Sequence, residues 1–343
     1  MKHTLAFVAQ SSAVVVMLGI MTATAIAQQP YKVLDHWKID GATGWDYLTA
    51  DPDAHLLYIT HGNRVDVVDT ASGKVAGAIT GLQGVHGVAL DSDGKVGYIS
   101  DGRADQVVVF DRKTLATLDR IDAGLNPDGI EFEPMTRTVW AFNGRSKDAT
   151  VMDAATRKVI ATVKLPGKPE FPRADGKGHI FDNIEDKNEI VEIDAASKTV
   201  IATWPITDCD GPSGLAYDKQ HARLFAVCDK KMAVVDAKTG KQLATADIGG
   251  GPDGAAFSAK YGLAFSTNGE DGTLSVVDAA HGYKTIETLP TQKGARTITY
   301  DEKTDRIYTV TAEFGPKPAP TPENPRGRPP VAPGTFTVLV LGR

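Results

Sequence analysis

Tyr58-Ile-Thr-His-Gly-Asn-Arg-Val-Asp-Val-Val-Asp69-Thr-Ala-Ser-Gly73-Lys-Val75 is the phrase from which most of this chain is built. It reads as the end of one strand, a tight loop, a second strand closing on Asp, a glycine turn and the start of a third strand. The closing Asp returns at 69, 111, 153, 194, 236 and 278, at spacings of 42, 42, 41, 42 and 42. A period of about 40–45 residues with four strands per repeat is the signature of a β-propeller. Each closing Asp is expected to accept backbone N–H bonds from the turn that follows it.

Working outward, residues 31–40 look like the last strand of a repeat without its first three. At the other end, residues 335–342 match a third strand with no fourth behind it. The N-terminal strand is therefore expected to complete the C-terminal blade, which removes two open sheet edges. Six full repeats and this composite give an all-β, seven-bladed propeller of four-stranded antiparallel blades. The innermost strand of each blade is expected at residues 47–50, 87–90, 129–132, 171–174, 214–217, 254–257 and 297–300, short and rich in Gly and Ala where strands crowd an axis.

Residues 1–27 read as a signal peptide rather than part of the fold. Lys2 begins it, an apolar run follows, and Ala25-Ile26-Ala27 is a small-residue cleavage site. Residues 28–343 are then a single propeller with no membrane anchor, expected in the periplasm or secreted. Removing the leader, whose one charge is Lys2, takes the formal net charge from −6 to −7. With a pI near 5.8, the chain lacks the basic footprint of a nucleic-acid binder. The two cysteines, Cys209 and Cys228, are expected to pair in an oxidising compartment. Without Cys-x-x-Cys-His, a covalently attached haem is not expected.

The repeat is interrupted once. An insert at 314–334 in the last blade holds eight of the nineteen prolines, seven of those eight lying between 316 and 330. It is expected to be stiff, extended and unable to join a sheet. A solvated loop and a lid over one face are both open readings.

Tyr58-Ile-Thr-His61, Tyr98-Ile-Ser-Asp101, Phe265-Ser-Thr-Asn268 and Tyr308-Thr-Val-Thr311 resemble the YVTN β-propeller repeat. Over nearly all of its mature length the chain resembles the exported YncE-like propeller proteins, although no blade spells the four-letter motif intact. That resemblance implies a rigid binding scaffold. The related seven-bladed lactonases imply that such a scaffold also hosts hydrolysis.

Alignment of the repeats places one residue per blade immediately before the inner strand: Asp46, His86, Asp128, Glu170, Ser213, Asp253 and Arg296. A position needing only a turn former would repeat one small polar residue. Here four carboxylates, an imidazole, a guanidinium and a hydroxyl face the channel mouth, which points to a heterogeneous binding site. The loops on the same face add His61, Asn143, Asn183, Asn268 and Glu313, and Trp45 and Phe171 are placed at the mouth as an apolar wall. Carboxylates and amides converging there suit calcium; His61 with His86 suits zinc. A small molecule or a protein partner is the expected occupant. The alternative is a metal-assisted hydrolase or lyase with His86, Asp128, Glu170 and Arg296 as its catalytic candidates. No Gly-x-Ser-x-Gly surrounds Ser213, so a serine nucleophile is not expected.

Overall fold

The third strand of each repeat is buried along almost its whole length, as in Arg64–Asp69, Gln106–Asp111 and Thr273–Asp278. A strand covered on both faces needs neighbours above and below it, and the β-branched runs supply the surface that packs there. The outermost strands alternate instead, exposed and half-buried in turn, as in Thr199–Pro205 and Lys284–Pro290. These patterns stack seven four-stranded antiparallel sheets face to face in a ring. In the computed structural model, residues 1–3, 29–41, 43–321, 327 and 329–343 are described. The chain divides into two units, Met1–Pro30 and Tyr31–Arg343, and the propeller is the second. The expected leader at 1–27 falls almost wholly outside the described residues. No helix among them is long and apolar enough to cross a membrane.

Blade one runs Trp45–Asp51, Leu56–His61, Arg64–Asp69 and Lys74–Ile79, and blades two to six repeat that order. Blade seven is the composite. Ile298–Asp301, Arg306–Thr311 and Thr337–Gly342 come from the C-terminal end, and Lys32–Lys38 pairs antiparallel along Thr337–Gly342. The ladder runs from Lys32 opposite Gly342 to Lys38 opposite Thr337. The core is distributed in the same way: seven apolar clusters lie one at each blade interface, such as Trp45, Leu57, Phe336 and Val338 between blades seven and one.

The repeated Asp works as the spacing implies. Asp69, Asp111, Asp153, Asp194, Asp236 and Asp278 each accept backbone N–H bonds from the following turn, for example Ser72 N to Asp69 Oδ1 at 2.7 Å. In blade five this turn ends at Gly240, with φ +69°, where an added Cβ would lie 2.2 Å from the Trp204 ring. The outer edges carry bulges, with register shifts at Val67/Val68, Val151/Met152 and Val276/Val277. These bulges and the strand-leading lysines Lys74, Lys158 and Lys284 blunt the exposed edges.

Two expectations need correction. Five of the seven ring residues do not precede the inner strand; they lie within it, as described below. The insert is not wholly excluded from pairing. Phe314 and Val331 form an isolated antiparallel bridge, with Gly315 N donating to Pro330 O at 2.8 Å and Ala332 N to Glu313 O at 2.8 Å. Prolines deny donors only where they stand, and these two N–H groups belong to Gly315 and Ala332. The disulfide joins Cys209 to Cys228, with Cα atoms 5.4 Å apart and both residues buried.

Candidate functional site

The inner strands begin at Trp45, Val85, Pro127, Pro169 and Pro252 in blades one, two, three, four and six. In each, the pairing register shifts across the next residues: Trp45/Leu48, Val85/Val88, Pro127/Ile130, Pro169/Pro172 and Pro252/Gly254. Asp46, His86, Asp128, Glu170 and Asp253 sit in these bulges. A bulge breaks strict alternation and re-aims one side chain, so the strand keeps its blade packing while its second residue turns to the channel. Ser213 and Arg296 lie two residues ahead of Leu215–Asp218 and Ile298–Asp301.

His86 bridges its two neighbours. Its Nδ1 lies 2.7 Å from Asp46 Oδ2 and 3.5 Å from Asp128 Oδ1. Burial pushes the imidazole down, but the Asp46 hydrogen bond and the Asp128 and Asp46 charges outweigh it and raise His86 to about 9. Gly102 makes this position possible, because a Cβ there would lie 2.6 Å from the imidazole Nε2. Asp128 Oδ1 is buried without a hydrogen-bond partner among the described residues. Burial pushes its carboxyl up, His86 pulls it back, and the Asp46 charge adds to the rise.

Arg296 completes the chain of contacts on the other side of Asp46. Its Nε donates to Asp253 Oδ2 at 2.8 Å, its Nη2 donates to Trp45 O at 2.6 Å, and its guanidinium lies 5.5 Å from the Trp45 ring centre. Burial raises the Asp253 carboxyl, and Arg296 opposes the rise. In blade four, Lys168 Nζ donates to both Glu170 and Glu185. Burial nonetheless pushes the Glu170 carboxyl up, with the Asp128 charge adding to it. Behind Glu170, Asp182 is fully buried; burial drives its carboxyl far up, the Asp128 charge adds to the rise, and the Glu170 backbone N–H opposes it.

The other sequence-selected residues do not gather at this cluster. His61 is buried, its Nδ1 2.9 Å from Asp66 Oδ2 and its ring stacked on Phe336 at 4.1 Å; it is not brought to His86. Asn143 bonds Asp148 and Thr150, and Asn268 bonds Thr273 and Ser275, each tying a second strand to the third. Asn183 donates to Ser213 O at 2.8 Å, and Ser213 Oγ donates to Pro252 O at 3.2 Å. Glu313 lies exposed at the base of the insert. Trp45 packs against Phe314 and Phe336. Phe171 lies deeper than the mouth, edge to face with Tyr47 at 4.6 Å.

The mouth beside His86 opens into a pocket of about 460 Å³, whose lining includes Trp45, Asp46, Gln83, His86, Arg103 and Arg296. The donor atoms of Asp46, His86 and Asp128 all lie within 4.8 Å of one another. Two carboxylates and an imidazole form a zinc-type set. Calcium takes six to eight oxygens, which this triad does not supply. Lys168 and Asp182 escaped the sequence reading. Lys168 was legible in principle, since it stands only two residues before Glu170. Asp182 had no such signal, being one buried acid of a second strand.

No protein-family model and no curated relative matches the chain. Among solved structures, it resembles a chain of Kuenenia stuttgartiensis hydrazine synthase with a TM-score of 0.71 at 16% identity, covering 78% of this chain and 92% of that one. It also resembles U3-55K, with a TM-score of 0.74 at 11% identity, covering 90% and 98%. Because 1683 solved chains share this likeness, the fold alone selects no activity. What the likeness and the seven sheets establish together is the architecture: the chain is a seven-bladed β-propeller.

Proposed function

We propose that this chain is an exported propeller of the YVTN, YncE-like kind, and that it binds a small polar ligand at the channel mouth. The observation that carries this reading is the Asp128 carboxylate, whose buried Oδ1 accepts no hydrogen bond among the described residues and has only the longer ion pair to His86 Nδ1 at 3.5 Å. The neighbouring charges are already matched, with Lys168 on Glu170 and Glu185, Arg296 on Asp253, and His86 on Asp46. A ligand bringing an N–H or cationic group would satisfy Asp128, and its acceptor end would face Arg103 at the lip. Export is supported by the Cys209–Cys228 pair and by the leader pattern at 1–27.

Binding is favoured over hydrolysis for a physical reason. An imidazole raised to about 9 is protonated near neutral pH and cannot take up a proton as a general base. The Ser213 hydroxyl is engaged with Pro252 O.

The test is the melting temperature of the wild type and of Asp128→Asn with calcium, zinc, chelator and a panel of small amines and amino acids. A ligand of the native state adds about 2.7 kcal/mol at a hundred times its dissociation constant. At least one addition should raise the wild type and lose that effect in Asp128→Asn. If none does, or if both proteins shift equally, the reading fails. A shift with zinc alone would identify the occupant as a metal held by Asp46, His86 and Asp128.

A further inference from the structure

The channel has a second chamber. Tyr47 of blade one and Phe171 of blade four meet edge to face at 4.6 Å. Further along the same strands lies a cavity of about 270 Å³, with Leu48, Val88, Ile130 and Phe132 among its walls and Glu131 and Arg173 as its charged groups. An adjoining lobe of about 280 Å³ shares Glu131 and Arg173 and reaches the exposed Lys219.

Arg173 is the anomaly here. Its guanidinium lies over the Phe171 ring, 4.1 Å from the centroid, and its one hydrogen bond among the described residues runs from Nη1 to Pro172 O at 3.3 Å. No acid among those residues comes within the 4.0 Å of an ion pair. Glu131 shares the cavity, but its Oε1 accepts the Ala174 N–H at 3.2 Å. Burial lowers the guanidinium from its ordinary range, and Glu131 opposes this without pairing. Arg173 is half-buried, so its unused donors open onto the cavity, where a planar fork of N–H groups matches a carboxylate two-pronged. The stacking on Phe171 fixes the plane of that fork.

We propose that this inner chamber is an anion site for a small organic carboxylate. The carboxylate pairs with Arg173, and a short apolar body lies along Leu48, Val88, Ile130 and Phe132. This site is separate from the channel mouth, and its existence does not depend on what binds there.

The experiment is calorimetric titration of butyrate, benzoate and inorganic phosphate into the wild type, Arg173→Lys, Arg173→Met and Asp128→Asn. Butyrate or benzoate should bind the wild type and Asp128→Asn alike. Affinity should fall by about tenfold or more in Arg173→Lys, which keeps the charge and loses the fork, and binding should vanish in Arg173→Met. Should Arg173→Met not fold, Arg173→Lys still decides, as does the Arg173 Nε–H resonance of the wild type, which should move on titration. Absence of carboxylate binding by the wild type, equal binding by the Arg173 variants, a preference for phosphate, or loss of binding in Asp128→Asn would each overturn the assignment.

Discussion

Tyr31→Ala tests how tightly the ring is closed. Tyr31 stands just ahead of the closing strand Lys32–Lys38 and is 4% exposed. Its ring meets Phe265 of blade six edge to face at 5.3 Å, the Arg343 guanidinium lies 4.3 Å from its centre, and its N–H donates to Glu287 Oε1 at 2.8 Å. The residue therefore clips the closing strand to the neighbouring blade as well as to its own. Truncating a buried aromatic to Ala costs roughly 3–5 kcal/mol, and the aromatic pair adds about 1 kcal/mol when it is well formed. The backbone N–H bond survives the substitution, so about 4 kcal/mol is the expected loss. Against a typical total of about 5–15 kcal/mol, that is a large fraction. Urea denaturation followed by circular dichroism measures it by linear extrapolation. Tyr31→Phe, which keeps the ring, should cost no more than about 1 kcal/mol. A loss below about 1 kcal/mol for Tyr31→Ala would mean that the closing strand is not held by this contact, and the closure argument would fall.

Three further outcomes are expected. Replacing Cys209 and Cys228 by Ala frees a loop spanning a sequence separation of 19, a loss of about 3 kcal/mol in the chain-entropy model; equal denaturation midpoints for the oxidised protein and the double variant would contradict it. Because His86 is raised from 6.5 to about 9, its stabilisation is complete below pH 6.5 and is lost as pH rises through about 9. The amount is about 3 kcal/mol at most. Stability curves against pH for the wild type and His86→Gln should converge at high pH, and parallel curves would refute the shift. Gly240→Ala, at φ +69° and against Trp204, should cost more than about 1 kcal/mol; a neutral result by chemical denaturation would show that the turn relaxes cheaply.

The fold was legible because a repeat states one packing problem several times over. The Asp spacing of 42, 42, 41, 42 and 42 fixed blade number, strand order and the composite last blade, since an unpaired strand at each end leaves one way to close. The ring positions were legible by the same alignment. Their contacts were not, because the bulges that turn Asp46, His86 and Asp128 inward are set by pairing with the second strand, and a repeat alignment carries no sign of a one-residue shift. The contacts of the loop asparagines were hidden for a related reason. Asn143 and Asn268 each turn the side-chain NH2 to the third strand of their own hairpin. Arg173 lay outside the aligned position altogether, and only the geometry of Phe171 beneath it marks it as unpaired.

On the proposed reading, Asp128 Oδ1 takes its donor from a bound molecule. The most direct measurement is a crystal structure of the wild type grown with the addition that most raises its melting temperature. That molecule is expected in the mouth pocket, with an N–H, cationic group or metal within bonding distance of Asp128 Oδ1. A molecule bound elsewhere, with Asp128 Oδ1 satisfied by a water or by a rearranged side chain of the protein itself, would contradict it.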